Sequence, residues 1–567
     1  MSENTVAAAV ATVTSHYATE LFGVMGNGNA LFIDAALDAG LKYNALRHEA
    51  GAAAAADAYA RCTHQVGVAT TTFGAGFTNT LTALSDAVRA RSPLVLVTGA
   101  SPTSGPRPAD VEISALVRSV GGTTWTIEKG AEIEVAHLAF ESAIRDARPA
   151  VISLPYDLAD SYLGGSTVSR LASASEHHRK QLAPAVEPDE AMSLEIADII
   201  LSAERLLIIG GRGSALSDEN RLTARFAEKV SAMTATTVLA HGLVGDYPRH
   251  LGIAGGFGSL AAATVMAEAD VVLVLGAGLN AHTTRHGGVF GPTATVIQID
   301  TRRLSTSPRV DHYVRLDAVA ALGVLLARVS HLGDESTTQW EGYPEETSAI
   351  RAMEPVDSYS TGMHPQALSE ELATLLPTAK TVTVDGGNFM AWPISAWSVD
   401  DASAFVPAGI AFQSIGLGLP AMIGAAIAHP QRLPVLATGD GGLLMSMADF
   451  ESAVRLIPKG MIVVYNDSAY GAELHQYGPF GLDTGPMTFP TVNFAEIARG
   501  FGMQAKLVQE VGDLNDVQDW VDGPARGVLL LDCRIAADVA APFLSATIAK
   551  IRSQSNLQTS STPTAAT

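Results

Sequence analysis

Short, almost wholly apolar runs alternate with longer stretches of helical periodicity along most of the chain. In the first third the runs are Leu21–Val24, Val66–Thr71, Pro93–Thr98 and Ala150–Pro155. Two of them open into glycine turns, Met25-Gly26-Asn27-Gly28-Asn29 and Phe73-Gly74-Ala75-Gly76-Phe77-Thr78-Asn79. This rhythm predicts parallel strands joined by helices that cover both faces of a sheet. Ahead of it, Thr5 to Tyr17 reads as an ordinary amphipathic helix.

The same rhythm recurs twice. Arg205–Gly211, Asp270–Gly278 and Thr295–Asp300 supply the strands of a middle block, a Rossmann-like layer whose Gly210 to Gly213 turn does not satisfy G-x-G-x-x-G. Thr381–Val384, Pro434–Ala437, Met461–Tyr465 and Gly527–Asp532 supply those of a third. Polar connections at 177–188 and 333–355 separate the blocks. The expected organisation is three doubly wound α/β domains with parallel sheets, at 1–165, 188–330 and 362–545. The Ser- and Thr-rich end, 553–567, is expected to be a disordered tail.

Composition narrows the function. With 36 basic and 58 acidic residues the net charge is −22, which argues against nucleic acid or an anionic membrane as a general partner. At 47% apolar and 17% charged residues, 567 residues can bury several cores. No apolar run approaches the ~18 residues of a membrane span, and no signal-peptide pattern opens the chain. Two distant cysteines, Cys62 and Cys533, fit a reduced cytoplasmic protein better than a disulfide framework.

One stretch carries explicit chemistry. Pro434–Ala437 runs into Thr438-Gly439-Asp440-Gly441-Gly442, and the next apolar strand ends at Asn466-Asp467. Two parallel strands joined by a helix bring both polar ends to one carboxyl edge, where α/β proteins bind ligands. Asp440 and Asp467 can share a hard cation there, while glycine lets a diphosphate approach the backbone. Two helix-capping turn carboxylates would look the same from this stretch alone.

Several stretches read together resemble the thiamin diphosphate enzymes of the pyruvate decarboxylase, acetolactate synthase and benzoylformate decarboxylase superfamily. They are Gly439–Gly442 with Asn466-Asp467 and Tyr470-Gly471-Ala472-Glu473, Arg47-His48-Glu49 leading into Ala58-Tyr59-Ala60-Arg61, the Gly74–Asn79 turn, and Pro149 to Pro155. The likeness spans roughly residues 8–543, with a texture nearest the acetolactate synthase large subunits.

The resemblance implies thiamin diphosphate and Mg²⁺ as cofactors. Asp440, Asp467 and the Ala469 carbonyl are the implied metal ligands; many members have a second Asn in place of Asp467. Gly386, Gly387, Asn388, Gly439, Gly441, Gly442, Tyr470, Gly471 and Ala472 fall at cofactor-binding positions. Ser414 precedes Ile415, which occupies the place of the apolar pillar that bends the cofactor. Glu49 is the implied partner of N1′ of the aminopyrimidine, promoting the imino tautomer that deprotonates the thiazolium to its ylid. Asn27, Glu473 and His475 are the further candidates for catalysis, and Thr72, Phe73 and Asn79 for the substrate wall.

The reaction expected is cleavage or formation of a C–C bond beside the carbonyl of a 2-oxo acid such as pyruvate, with an aldehyde or ketone as acceptor when carboligation follows. A simple 2-oxo acid decarboxylase, an oxidase with FAD in the middle domain, and a non-catalytic binding relative are the alternatives. Departures lie in the substrate wall. The His-His pair of pyruvate decarboxylases is absent from the 100–125 region, no His stands just before the Gly74 turn, and Pro108-Ala109-Asp110-Val111-Glu112-Ile113 stands where acetolactate synthases carry Phe-Gln-Glu. The resemblance further implies a homodimer or homotetramer, with Glu49 of one subunit meeting Asp440 of another.

Overall fold

The computed structural model describes residues 4–163, 190–218, 221–329, 340–354, 362–524, 526–544 and 548. The connection at 177–188 and the tail at 553–567 lie outside the described residues, as do 333–339 and 355 of the second connection.

Three six-stranded sheets form, and every strand pairing within them is parallel. The first holds β1 (Glu20–Gly23), β2 (Lys42–Ala45), β3 (Gly67–Thr71), β4 (Leu94–Ala100), β5 (Thr123–Thr126) and β6 (Ala150–Pro155), in the order β2-β1-β3-β4-β6-β5. The middle one holds β7 (Leu206–Gly210), β8 (Met233–Thr236), β9 (His250–Ile253), β10 (Val271–Leu275), β11 (Thr295–Asp300) and β12 (His312–Arg315), in the order β12-β11-β10-β7-β8-β9. The last holds β13 (Lys380–Val384), β14 (Phe405–Pro407), β15 (Leu433–Gly439), β16 (Lys459–Asn466), β17 (Gln504–Val508) and β18 (Gly527–Arg534), in the order β14-β13-β15-β16-β18-β17. First and last sheets therefore share one topology. The middle sheet has the mirror-ordered halves of a dinucleotide-binding fold.

The long central strands coincide with the apolar runs, because burial on both faces demands them. The six edge strands carry no such run and were not expected. In β2, for example, only Asn44 is buried. β8 is missed for another reason: its two threonines are buried. The first helix also differs from expectation. Val6–Tyr17 is enclosed on most of its circumference, with Val6, Ala7, Ala9, Val10, Ala11, Val13 and Thr14 buried, so it is a core helix. Thr5 caps it by accepting from the Ala8 amide at 3.3 Å.

The first and last sheets are joined through two helices. Glu49–Thr63, alanine-rich and buried over almost its whole length, lies against Gly418–Ala428. A Cβ at Gly424 would collide with the Ala55 carbonyl, so glycine permits this close approach. One apolar cluster runs from Phe22, Ala52 and Tyr59 through Met422 to Leu436 and Phe450.

The middle and last units meet at His241. Its Nε2 lies 3.3 Å from the Trp397 carbonyl, and its ring packs edge-on to Phe405. Burial pulls its pKa down from 6.5 to about 4, against the raising effect of that carbonyl. Burial, then the neighbouring His241, takes His250 down to about 3. The native state keeps both rings neutral, so below about pH 6.5 the unfolded chain binds more protons and stability falls toward pH 4. His241 alone is expected to account for a loss of about 2 kcal/mol between pH 7 and pH 5. Denaturant unfolding at both pH values tests this: His241→Phe should lose correspondingly less than wild type, and equal losses would exclude His241 as the sensitive group.

Candidate active site

In the last sheet the strand order reverses between β13 and β15, and a crevice at such a reversal is where an open parallel sheet binds ligands. Three loops converge there. Asp385 to Asn388 follows β13, Asp440 to Gly442 follows β15, and Asp467 to Tyr470 follows β16. All three line a cavity of about 1370 Å³ with Ser414, Ile415, Gly471, Ala472 and Glu473.

Asp440 is buried and Asp467 half-buried, and both meet backbone amides. Asp440 accepts from the Gly441 amide at 2.7 Å and from the Ser468 amide at 2.7 Å. Asp467 accepts from the Ala469 amide at 3.2 Å. Burial raises the Asp440 pKa to about 6; burial and then the Asp440 charge raise Asp467 to about 8. Two carboxylates that resist ionising together are a favourable seat for a cation. No cluster of three or more metal-ligating side chains occurs among the described residues. Two carboxylates, a backbone carbonyl and open positions are a donor set that fits Mg²⁺ retaining phosphate and water.

The glycines beside them are sterically required. A Cβ on Gly441 would stand 2.8 Å from the Tyr470 ring, and one on Gly442 2.8 Å from Asp385 Oδ2. Gly387 has φ of +147°. The Asn388 side chain, in contrast, is fully engaged: it donates to the Val539 carbonyl at 2.9 Å and accepts from the Ala541 amide at 2.8 Å. It ties the final described segment onto the loop.

Ile415 sits on a loop held from two sides. Asp385, buried, accepts from the Gly416 amide through both oxygens, at 3.1 and 3.0 Å. From the other side Asp86 of the first domain accepts from the Gly409 amide at 3.2 Å and the Phe412 amide at 2.9 Å. Asp86 is paired at 2.9 Å with buried Arg61, which also pairs with Asp57 and donates to the Pro407 carbonyl at 2.8 Å. Sequence reading gave no role to Asp86, Asp57 or Asp385, although Arg61 and Asp385 lie in recognised stretches, because no local pattern reveals an inter-domain ion cluster.

The remaining candidates form a second group, and none of it lines the cavity. Glu49, half-buried, accepts from Asn79 Nδ2 at 2.9 Å. Thr72 Oγ1 accepts from the Gly28 amide at 2.9 Å, and Tyr156 OH donates to Asn27 Oδ1 at 3.2 Å. Phe73 packs edge-on to Tyr156. His475 also lies off the cavity; burial lowers its pKa, against the raising effects of Asp538 and the Ala537 backbone. One chain thus brings the metal and diphosphate candidates together and keeps Glu49, Asn27, Thr72, Phe73 and Asn79 apart from them.

Removing one member of a buried ion cluster strands the others, at a cost of about 3–5 kcal/mol. Asp86→Asn is expected to lose that much stability in chemical unfolding and to speed hydrogen exchange at the Gly409 and Phe412 amides. Unchanged exchange at both would show that Asp86 does not hold the Ile415 loop.

Comparison with known proteins gives these two groups a common frame. Family profiles match in three places: the thiamine pyrophosphate enzyme N-terminal TPP binding domain at residues 3–112, the central domain at 194–328, and the C-terminal TPP binding domain at 385–532. A probable acetolactate synthase large subunit from Methanocaldococcus jannaschii is 27% identical over 465 residues, covering 80% of this chain and 78% of that protein. A sulfoacetaldehyde acetyltransferase from Castellaniella defragrans is 26% identical over 540 residues, covering 89% and 88%. The solved structure of a thiamine diphosphate-dependent 4-hydroxybenzoylformate decarboxylase from Rhodococcus jostii RHA1 superposes with a TM-score of 0.78 at 18% identity, over 94% of this chain and 99% of that one. With all three domains matched in order along it, the chain belongs to the thiamine pyrophosphate enzymes.

Proposed function

We propose that this protein is a Mg²⁺-dependent carboligase that takes a 2-oxo acid such as pyruvate as donor and an aldehyde or ketone as acceptor. The observation that carries this reading is the pair of buried Asp440 and half-buried Asp467 facing glycine loops at the reversal of the last sheet. The named relatives, acetolactate synthases and a sulfoacetaldehyde acetyltransferase, weight the choice toward carboligation over simple decarboxylation.

Thiamin diphosphate, when bound, supplies the carbon nucleophile and the electron sink. The chain's own residues do the rest. Asp440, Asp467 and the Ala469 carbonyl would hold Mg²⁺, and the Gly386–Asn388 and Gly441–Gly442 loops would hold the diphosphate. Ile415, Ser414 and Tyr470 to Ala472 would complete the cofactor's seat. Glu49 holds a proton at its carboxylate, oriented by Asn79 Nδ2. Asn27, held by Tyr156, would face the reacting carbon, and Glu473 and His475 are the titratable groups proposed to move protons there, while Thr72, Phe73 and Asn79 wall the substrate.

Because Glu49 does not line its own chain's cavity, the complete site needs a second copy. Met25 and Met445, 60% and 58% exposed, suit a face covered in a homodimer, or in a homotetramer of such dimers. Both cysteines are free and buried, which accords with a cytoplasmic setting, and no described helix is long and apolar enough to cross a membrane.

A specific observation favours FAD as an additional ligand. The cavity continues to the carboxyl ends of the middle sheet, where Gly213, Gly276, Asp300 and Arg302 line it. A dinucleotide would lie there with its diphosphate against the glycines and Asp300 at the ribose. Flavin absorbance in the purified protein tests this; its absence removes the oxidase alternative and leaves carboligation standing.

Glu49→Gln is expected to bind cofactor normally and lose turnover by about 10²–10⁴-fold. Wild-type rates on pyruvate and an aldehyde panel, read by product mass spectrometry, would refute the role of Glu49. Asp440→Ala should instead raise the Mg²⁺ concentration needed for cofactor binding in calorimetry; an unchanged requirement would mean that the metal sits elsewhere.

A further inference from the structure

The surface that carries Glu49 presents one cation that neither cofactor nor metal binding uses. The guanidinium of Arg107 lies 4.0 Å from the centre of the Phe73 ring and 4.7 Å from that of Tyr156. The two rings meet at 89°, so it fills the corner between them. Asp110 fixes it there, accepting from Nε at 3.1 Å and Nη2 at 2.9 Å, and from the Arg107 amide at 2.7 Å. The loop is pinned in turn: Gly74, at φ +60°, leaves no room for a Cβ against the Ala109 carbonyl. A guanidinium held by rings and a carboxylate is organised before any ligand arrives.

The pair is asymmetric toward solvent. The Arg107 side chain is 29% exposed and that of Asp110 only 2%. A ligand therefore meets the cation and not its partner. Nη1 and the second hydrogen of Nη2 have no partner among the described residues and are free to grip a planar anion.

Arg107 is also continuous with the reaction wall. Tyr156, beneath it, holds Asn27. Phe73, on its other side, would lie 2.6 Å from a Cβ on Gly28, whose amide binds Thr72. A Cβ on Gly76 would lie 2.6 Å from the Thr72 methyl and 3.3 Å from Glu49 Oε1, so Thr72 and Glu49 flank the same glycine.

The carboxylate of a 2-oxo acid leaves as neutral CO₂. A cation clamped on it would stabilise the starting state more than the transition state and slow the reaction. A contact kept throughout must fall on an anionic group away from the breaking bond. We propose that Arg107 binds a second, non-reacting carboxylate or sulfonate of the substrate, carried by the donor or by the acceptor. This deepens the carboligase reading and rests on it.

Two matched pairs of probes separate the sources: 2-oxoglutarate against 2-oxopentanoate as donor, and succinic semialdehyde against pentanal as acceptor. With thiamin diphosphate and Mg²⁺, the wild-type enzyme should prefer the charged member of one pair by about 10–100-fold in kcat/KM, the worth of a charge-assisted contact. In Arg107→Gln that ratio should collapse, chiefly through KM. The double variant Arg107→Gln/Asp110→Asn, which leaves no stranded buried charge, should do the same if the single variant folds poorly. Turnover of the uncharged members without preference for either charged one overturns the proposal, as does an equal loss on both members of a pair. No turnover of any probe by cofactor-loaded enzyme would sink the carboligase reading instead. Calorimetry with glutarate, an unreactive dicarboxylate, then decides Arg107: saturable binding to wild type and none to the double variant supports it, and any other result overturns it.

Discussion

The contact between the helices Glu49–Thr63 and Gly418–Ala428 is the constraint on which the rest depends. It is made of alanine and glycine faces, and its near end is closed by a buried guanidinium. Arg61 holds Asp57 and Asp86 while bonding the Pro407 carbonyl of the other domain. A charge so buried is tolerable because two carboxylates and a carbonyl meet it, even though Arg61 Nε and Asp57 Oδ1 have no partner among the described residues. The helix that presents Glu49 at one end thereby grips, at the other, the strand that leads into the Ile415 loop. At the Glu49 end the Arg47 amide donates to Asp449 at 2.8 Å, so the helix is fastened to the last domain at both ends.

Electrostatics divides the two clefts. The Asp440–Asp467 crevice is a buried, acid-rich seat whose acids gain from a cation. The Glu49 face is half-buried, aromatic and cationic at Arg107. The proposed function assigns these opposed characters different work: a metal–diphosphate anchor on one domain, and a proton-handling, substrate-facing wall on another. The outer domains share one sheet order, and each presents its chemistry at the carboxyl ends of the strands. Two copies of one architecture have thus been given different loops.

Much of this was legible in the residues. The buried strands announced themselves as apolar runs because both faces are covered, whereas edge strands such as β2 and β17 lacked that signature. The glycines near Asp440 were legible because close backbone approach leaves few alternatives. Asn388 shows the limit. Its position matched a cofactor loop, yet its side chain is spent on the Val539 and Ala541 backbone, more than 150 residues away. Arg107 shows the same limit from the other side: the stretch beginning at Pro108 reads only as a departure from relatives, and the cation one residue earlier gains meaning from Phe73 and Tyr156.

By itself the sequence determined the α/β class, the βαβ rhythm, the two acids with their glycines and the family. These follow from local periodicity and from short motifs whose spacing is the chemistry. Only tertiary structure decided that the first helix is a core helix, that Arg61 and Asp86 reach across domains, and that Arg107 sits between two rings. Each of these depends on residues far apart in the chain becoming neighbours, and no local pattern encodes which distant groups will share a buried charge or a common wall.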